Sequence, residues 1–128
     1  MSDQTVQELM REALRLSTRL EAVTDETYRV ARKLAEATHA HEQATAVTWA
    51  MVRDELSDEP GPGGKWLSRD YEETVTKRTK DTGKTVGALK AEAHALDGAS
   101  RNLRSQLSAC QSVAAALREE MRLAGGPS

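Results

Sequence analysis

Phenylalanine is absent from this sequence, and two tryptophans and two tyrosines are the aromatic residues among its 128 positions. Hydrophobic residues of all kinds make up 38% of the chain. Large aliphatic and aromatic side chains supply most of the area that a globular core buries, so we expect no large core. The sequence also has no run of about twenty apolar residues and opens with the polar segment MSDQTVQE. Neither a membrane span nor a signal peptide is therefore expected.

Cysteine occurs once, as Cys110, which excludes an internal disulfide framework and favours a reducing, cytoplasmic location. Cys110 falls among leucines at helical spacing, where a thiol is usually a small hydrophobe rather than a nucleophile. His39 and His41 are two residues apart, and so on different faces of a helix, and His94 is alone. The GPGG segment lacks the ending of a phosphate-binding loop. We expect no catalytic residue, no metal, no cofactor and no enzymatic activity.

Apolar, small or aromatic residues recur through the first half of the chain in steps that alternate between three and four residues. These positions are Val6, Leu9, Ala13, Leu16, Leu20, Val23, Thr27, Val30, Leu34, Ala37, His41, Ala44, Thr48 and Met51. A period of about 3.5 residues kept over this length is typical of a coiled coil. With Ser2 or Asp3 as a cap for the first turn, the pattern predicts a helix over about 4–56.

The middle of the chain is rich in proline and glycine. Residues 57–67 read SDEPGPGGKWL, through which neither a helix nor a strand is expected to continue. Ser68 or Asp70 then offers a second cap, and a second stripe follows. Its positions are Val75, Thr79, Thr82, Val86, Leu89, Ala93, Leu96, Ser100, Leu103, Leu107, Cys110, Ala114, Leu117, Met121 and Ala124.

The second stripe predicts a helix over about 69–124, similar in length to the first. Two helices of matched length joined by one turn favour antiparallel pairing within the chain. We therefore predict an all-α protein: a long antiparallel two-helix coiled-coil hairpin that forms a single domain over 1–128. Glycines at 83, 87 and 98 each cost a helix about 1 kcal/mol relative to alanine, so residues 79–87 are expected to fray or kink.

A two-helix coiled coil leaves the outer faces of both helices in water. Several apolar residues lie outside the two stripes, among them Met10, Leu14, Trp49, Val52, Val113 and Leu123. These side chains would be better buried against another hairpin. We predict a homo-oligomer, in the form of a helical bundle or a ring.

Net charge does not by itself suggest nucleic acid, because 18 basic and 20 acidic residues sum to −2. The charge is uneven, however: residues 1–60 hold 7 basic and 12 acidic groups, and residues 61–128 hold 11 and 8. One segment of the positive half combines basic with aromatic side chains. These are Lys65, Trp66, Arg69, Tyr71, Lys77, Arg78, Lys80 and Lys84.

Basic groups interleaved with aromatic rings suit single-stranded nucleic acid, since they neutralise phosphates and offer flat faces on which bases stack. A plainer alternative is a solvated helix face, with Trp66 and Tyr71 covering the tip of the hairpin. If the chain oligomerises, several weak basic tips would act together and gain avidity.

The closing helix, RNLRSQLSACQSVAAALREEMRLAGG over 101–126, resembles that of small helical phage proteins encoded near recombinase or annealing genes. In layout the chain is similar to the UvsY-type recombination mediators of T-even phages, whose second helix opens with a start like Ser68–Tyr71. The acidic first half and the proline-bearing loop depart from that pattern. The resemblance implies a phage protein of the host cytoplasm that oligomerises, binds single-stranded DNA and helps load a recombinase or annealing protein.

Two other classes remain open. A structural or adaptor coiled coil, such as a phage scaffold or assembly chaperone, needs nothing beyond the two stripes and no nucleic acid. A secreted helical hairpin of the hundred-residue type VII class would carry Trp-x-Gly in its turn, where this chain reads Gly64, Lys65, Trp66 and Leu67.

Overall fold

The computed structural model describes residues 3–57 and 68–125 of the chain. These residues form three helices and no strand: α1 over Asp3–Ser57, α2 over Ser68–Arg78 and α3 over Lys80–Ala124. Helices α1 and α3 pack together as a hairpin, which confirms the predicted all-α helical hairpin. None of these helices has a stretch both long and apolar enough to cross a membrane. Of the predicted turn, all but Ser57 lies outside the described residues.

Helix α1 runs for 55 residues without a break, and no glycine or proline interrupts it. Three of its threonines, Thr18, Thr24 and Thr27, donate their hydroxyls to carbonyls one turn earlier. Thr24 donates to the Leu20 carbonyl and Thr27 to the Val23 carbonyl, each at 2.8 Å. A hydroxyl satisfied in this way can face the neighbouring helix at little cost.

The chain divides into two compact units, one combining Met1–Tyr28 with His94–Ser128 and the other spanning Arg29–Ala93. In the first unit the buried core is Leu16, Leu103 and Cys110, and all three occupy predicted stripe positions. The Cys110 thiol donates to the Leu9 carbonyl at 3.0 Å. This early residue of α1 thus meets a late residue of α3, as antiparallel packing requires.

The second unit has its own core, made of Val52, Leu56 and Val75. Trp49 and Tyr71 are partly buried and pack against it. Farther along the same unit, His41 Nδ1 lies 2.8 Å from Thr82 Oγ1, so a polar pair takes the place of an apolar contact between the helices.

One assignment near the end of α1 was wrong. The strict three-and-four pattern placed Met51 inside and Val52 outside, whereas Val52 is fully buried at 0% exposure and Met51 is 52% exposed. An α-helix has about 3.6 residues per turn, so a pattern of 3.5 drifts by about 20° in each heptad. By the last turns of α1 the inner face has moved to Val52 and Leu56. Neither Val52 nor the half-buried Trp49 is therefore an uncovered group that calls for a partner.

The helical segment that follows the turn is interrupted at Thr79, between α2 and α3, within the stretch predicted to fray or kink. Backbone hydrogen bonds continue through the break, from Thr79 to Val75 and from Gly83 to Thr79, both at 3.0 Å. Two hydroxyls compete for the same carbonyls: Thr79 donates to Val75 at 2.8 Å and Thr82 to Thr79 at 3.0 Å. Such competition bends helices, and here it separates α2 from α3 by one residue.

The glycines of α3 give a test of this packing. A Cβ added at Gly87 or at Gly98 would meet no atom within 4 Å. Gly87→Ala and Gly98→Ala should therefore each raise the free energy of unfolding by about 1 kcal/mol, measured by urea titration with circular dichroism. Gly83→Ala serves as the comparison, since its methyl group would lie 3.4 Å from His41 Cε1 and the gain should be smaller. Equal or absent gains at all three positions would contradict the described packing.

Candidate nucleic-acid interface

Three lysines lie together on one face where α2 ends and α3 begins. Lys77, Lys80 and Lys84 follow one another by three and four residues, the spacing that places side chains side by side on a helix. All three are exposed. Across residues 3–57 and 68–125, no ion pair joins any of them to a carboxylate. We call Lys77, Lys80 and Lys84 the lysine face; its charge is presented to solvent.

The two arginines of the predicted site have carboxylate partners. Arg78 Nη2 donates to Glu55 Oε2 at 2.7 Å, and this hydrogen bond raises the pKa of Arg78. Arg69 lies 3.9 Å from Glu73, with both side chains largely exposed. Exposed ion pairs of this kind contribute little stability, so either arginine could exchange its carboxylate for another anion. Each arginine thus has a carboxylate at ion-pair distance, which none of the three lysines has among the described residues.

Tyr71 belongs to the core of the second unit. Its ring stacks on Trp49 with centroids 6.5 Å apart and planes 18° from parallel. Arg53 lies over the same tryptophan, with Cζ 5.4 Å from the ring centroid. Both rings also pack against the Val52, Leu56 and Val75 cluster. This arrangement favours the packing alternative for Tyr71 over the role of a platform for bases.

Two residues of the predicted site, Lys65 and Trp66, lie outside the described residues. The structure therefore brings together three of the eight predicted residues as an open basic surface, pairs two with carboxylates and packs one into the core.

A groove of about 590 Å³ runs beside the lysine face in the second unit. Lys80 and Lys84 line it together with His41, Thr45 and Trp49. The Thr45 hydroxyl is buried and makes no hydrogen bond. The lining also includes Glu72 and is more apolar than polar, so the two ammonium groups are the part of this groove that can contact an anion such as a phosphate. The same chemistry does not suit a metal, and no cluster of three or more His, Cys, Asp or Glu side chains occurs in the part of the chain that the structure describes.

Two contacts were missed by the sequence analysis although a signal for them existed. In an antiparallel hairpin, residues equally far before and after the middle of the turn face each other. The predicted turn at 57–67 has its middle at residue 62, so position 49 faces position 75, one helical turn from Tyr71. By the same rule, position 41 faces position 83, next to Thr82. Antiparallel register could therefore have paired Trp49 with Tyr71 and His41 with Thr82 in advance.

No family model matches the chain, and no curated protein or solved structure matches it.

The packed role of Tyr71 can be tested against a matched tyrosine. Tyr71→Ala removes a stacked and partly buried ring, so the free energy of unfolding should fall by about 2 to 3 kcal/mol. Tyr28→Ala, at an exposed position on α1, should change it by less than about 0.5 kcal/mol. Urea unfolding followed by circular dichroism gives both values. A Tyr71 variant as stable as the Tyr28 variant would show that the ring is not part of the core.

Proposed function

We propose that this protein is a phage recombination accessory factor that assembles with copies of itself and binds single-stranded DNA through Lys77, Lys80 and Lys84. The observation that carries the proposal is the lysine face, which is the exposed basic surface left without carboxylate partners in residues 68–84. Ammonium groups in such a row neutralise successive phosphates of a flexible strand.

The expected affinity of one chain is modest. Each phosphate contact to a single strand contributes about 0.7 to the slope of log affinity against log salt, so three contacts give a slope of about −2. An oligomer that presents several lysine faces to one strand would bind more tightly, because after the first contact the others form at high effective concentration. Self-association therefore belongs to the proposed function.

The wider role rests on the resemblance in residues 101–126 and at Ser68–Tyr71. Proteins of that layout help load a recombinase or an annealing protein onto DNA, and we propose such a protein as the partner, in the cytoplasm of the bacterial host. The helical hairpin is compatible with that layout.

The DNA-binding proposal can be tested by fluorescence anisotropy with labelled oligo-dT at about 50 mM salt. The unmodified protein should bind, and the affinity should fall with a salt slope of about −2 per chain. Replacing Lys77, Lys80 and Lys84 together by glutamine should abolish binding or flatten the slope, because the counterion-releasing contacts are gone.

A matched triple variant separates a site from a general charge effect. Lys33, Lys90 and Arg104 are also exposed, and replacing them by glutamine lowers the net charge by the same three units. We expect this variant to keep the unmodified affinity to within about twofold. Equal loss in both triple variants would mean that overall charge rather than the lysine face determines binding. No binding by the unmodified protein at tens of micromolar would refute the proposal.

A second candidate is a structural or adaptor coiled coil that does not bind nucleic acid. It is favoured by the apolar side chains that the hairpin leaves open in the first unit, where Met10 is 48% and Leu14 69% exposed. Assembly without any response to oligo-dT would select this function over the first.

A further inference from the structure

We infer that copies of this chain associate head to tail. A groove in the first unit of one copy receives the exposed apolar stripe formed by Val47 and Met51 of α1 in the second unit of the next. The inference rests on the self-association included in the proposed function and specifies the two surfaces that make the contact.

The groove lies between α1 and α3 in the first unit. Met10 and Leu14 form one wall, Leu107 and Gln111 the other, and the depression encloses about 480 Å³. A second depression, lined by Met10, Gln111 and Ala114, shares Met10 and Gln111 with it. Met10 and Leu14 are four residues apart on one helix and 48% and 69% exposed, so together they make an apolar surface that the hairpin itself does not cover.

The charged residues that line this groove are both arginines. Arg11 borders the first depression and Arg118 the second. The Arg118 guanidinium lies against the sulfur of Met10, which places a positive charge directly beside the apolar wall. The groove therefore fits an apolar segment flanked by carboxylates.

The stripe on α1 has this chemistry. Val47 and Met51 are also four residues apart and more than half exposed. Asp54 and Glu55 follow Met51 by three and four residues, so both carboxylates lie beside the stripe on the same side of the helix. Glu55 bonds to Arg78 in its own chain at 2.7 Å, an exposed pair that can share its carboxylate with a second guanidinium.

Charge also selects which surfaces meet. Two grooves facing each other would bring Arg11 and Arg118 of both copies together, and two stripes would bring together their carboxylates. Both symmetric pairings place like charges across the contact, whereas groove against stripe places guanidinium groups opposite carboxylates. A contact between two different surfaces is heterologous, so it continues from copy to copy until it closes a ring or extends a filament.

The experiment uses two double variants and their mixture, with mass measured by light scattering at micromolar concentration. The groove variant is Met10→Gln with Leu14→Gln, and the stripe variant is Val47→Gln with Met51→Gln. Glutamine removes the apolar contact, adds no charge and is a good helix former, so circular dichroism should be unchanged. The control is Val113→Gln with Leu123→Gln, two exposed apolar positions outside both surfaces.

We expect the unmodified protein and the control to be larger than the 14.0 kDa monomer, and each double variant alone to be monomeric. A one-to-one mixture should form a dimer of twice the 14.0 kDa chain mass, because one groove and one stripe remain intact between the two variants. That complementation is specific to a heterologous contact.

Four results would overturn the inference: a monomeric unmodified protein, a double variant that assembles like the unmodified protein, a control that fails to assemble, or a mixture that stays monomeric. The DNA proposal fails separately, since every double variant keeps Lys77, Lys80 and Lys84. Complementation without oligo-dT binding would support the head-to-tail contact and select the adaptor function.

Discussion

Burial of a single narrow stripe on each helix is the constraint from which the other features of this structure follow. The largest side chains that are fully buried within residues 3–57 and 68–125 are Leu16, Val30 and Val52, all on α1. Two helices in contact can cover only the faces that they turn toward each other. The remaining faces meet solvent, so charged residues and a few apolar residues both become available for binding.

The stripe is weakest where its residues are small and polar. His41 meets Thr82 in place of an apolar pair, and Thr79 gives its hydroxyl to its own helix rather than to the partner. Small side chains fill less of the space between helices, and a groove opens here beside Lys80 and Lys84. The break between α2 and α3 occurs at the same level. Weak packing and the candidate binding surface thus share a cause.

The proposed activities use different parts of the chain and reinforce each other. The lysine face carries positive charge but offers few contacts to a strand. The proposed contact between the Met10 and Leu14 groove and the exposed Val47 and Met51 stripe would repeat the lysine face from copy to copy. Aromatic stacking contributes little to the described part of this surface, because Trp49 is covered by Tyr71 and Arg53. Repetition of a weak phosphate-binding surface, rather than recognition of bases, is then the physical basis of the proposed affinity.

The sequence by itself determined the helical hairpin and most of its buried stripe, because helix formation and a repeating apolar pattern depend on residues close together in the chain. The pattern includes Leu9 and Leu16 on α1 and Leu103 and Cys110 on α3. It also singled out Lys77, Lys80 and Lys84 among eight candidate residues, since a concentration of basic side chains is visible without the fold. Tertiary structure decided which of Met51 and Val52 is buried. The difference between 3.5 and 3.6 residues per turn accumulates along α1, and the position of the helix packed against its last turns determines which side chain is covered. It likewise decided that Arg78 pairs with Glu55, since that contact depends on the exact register between residues far apart in the chain.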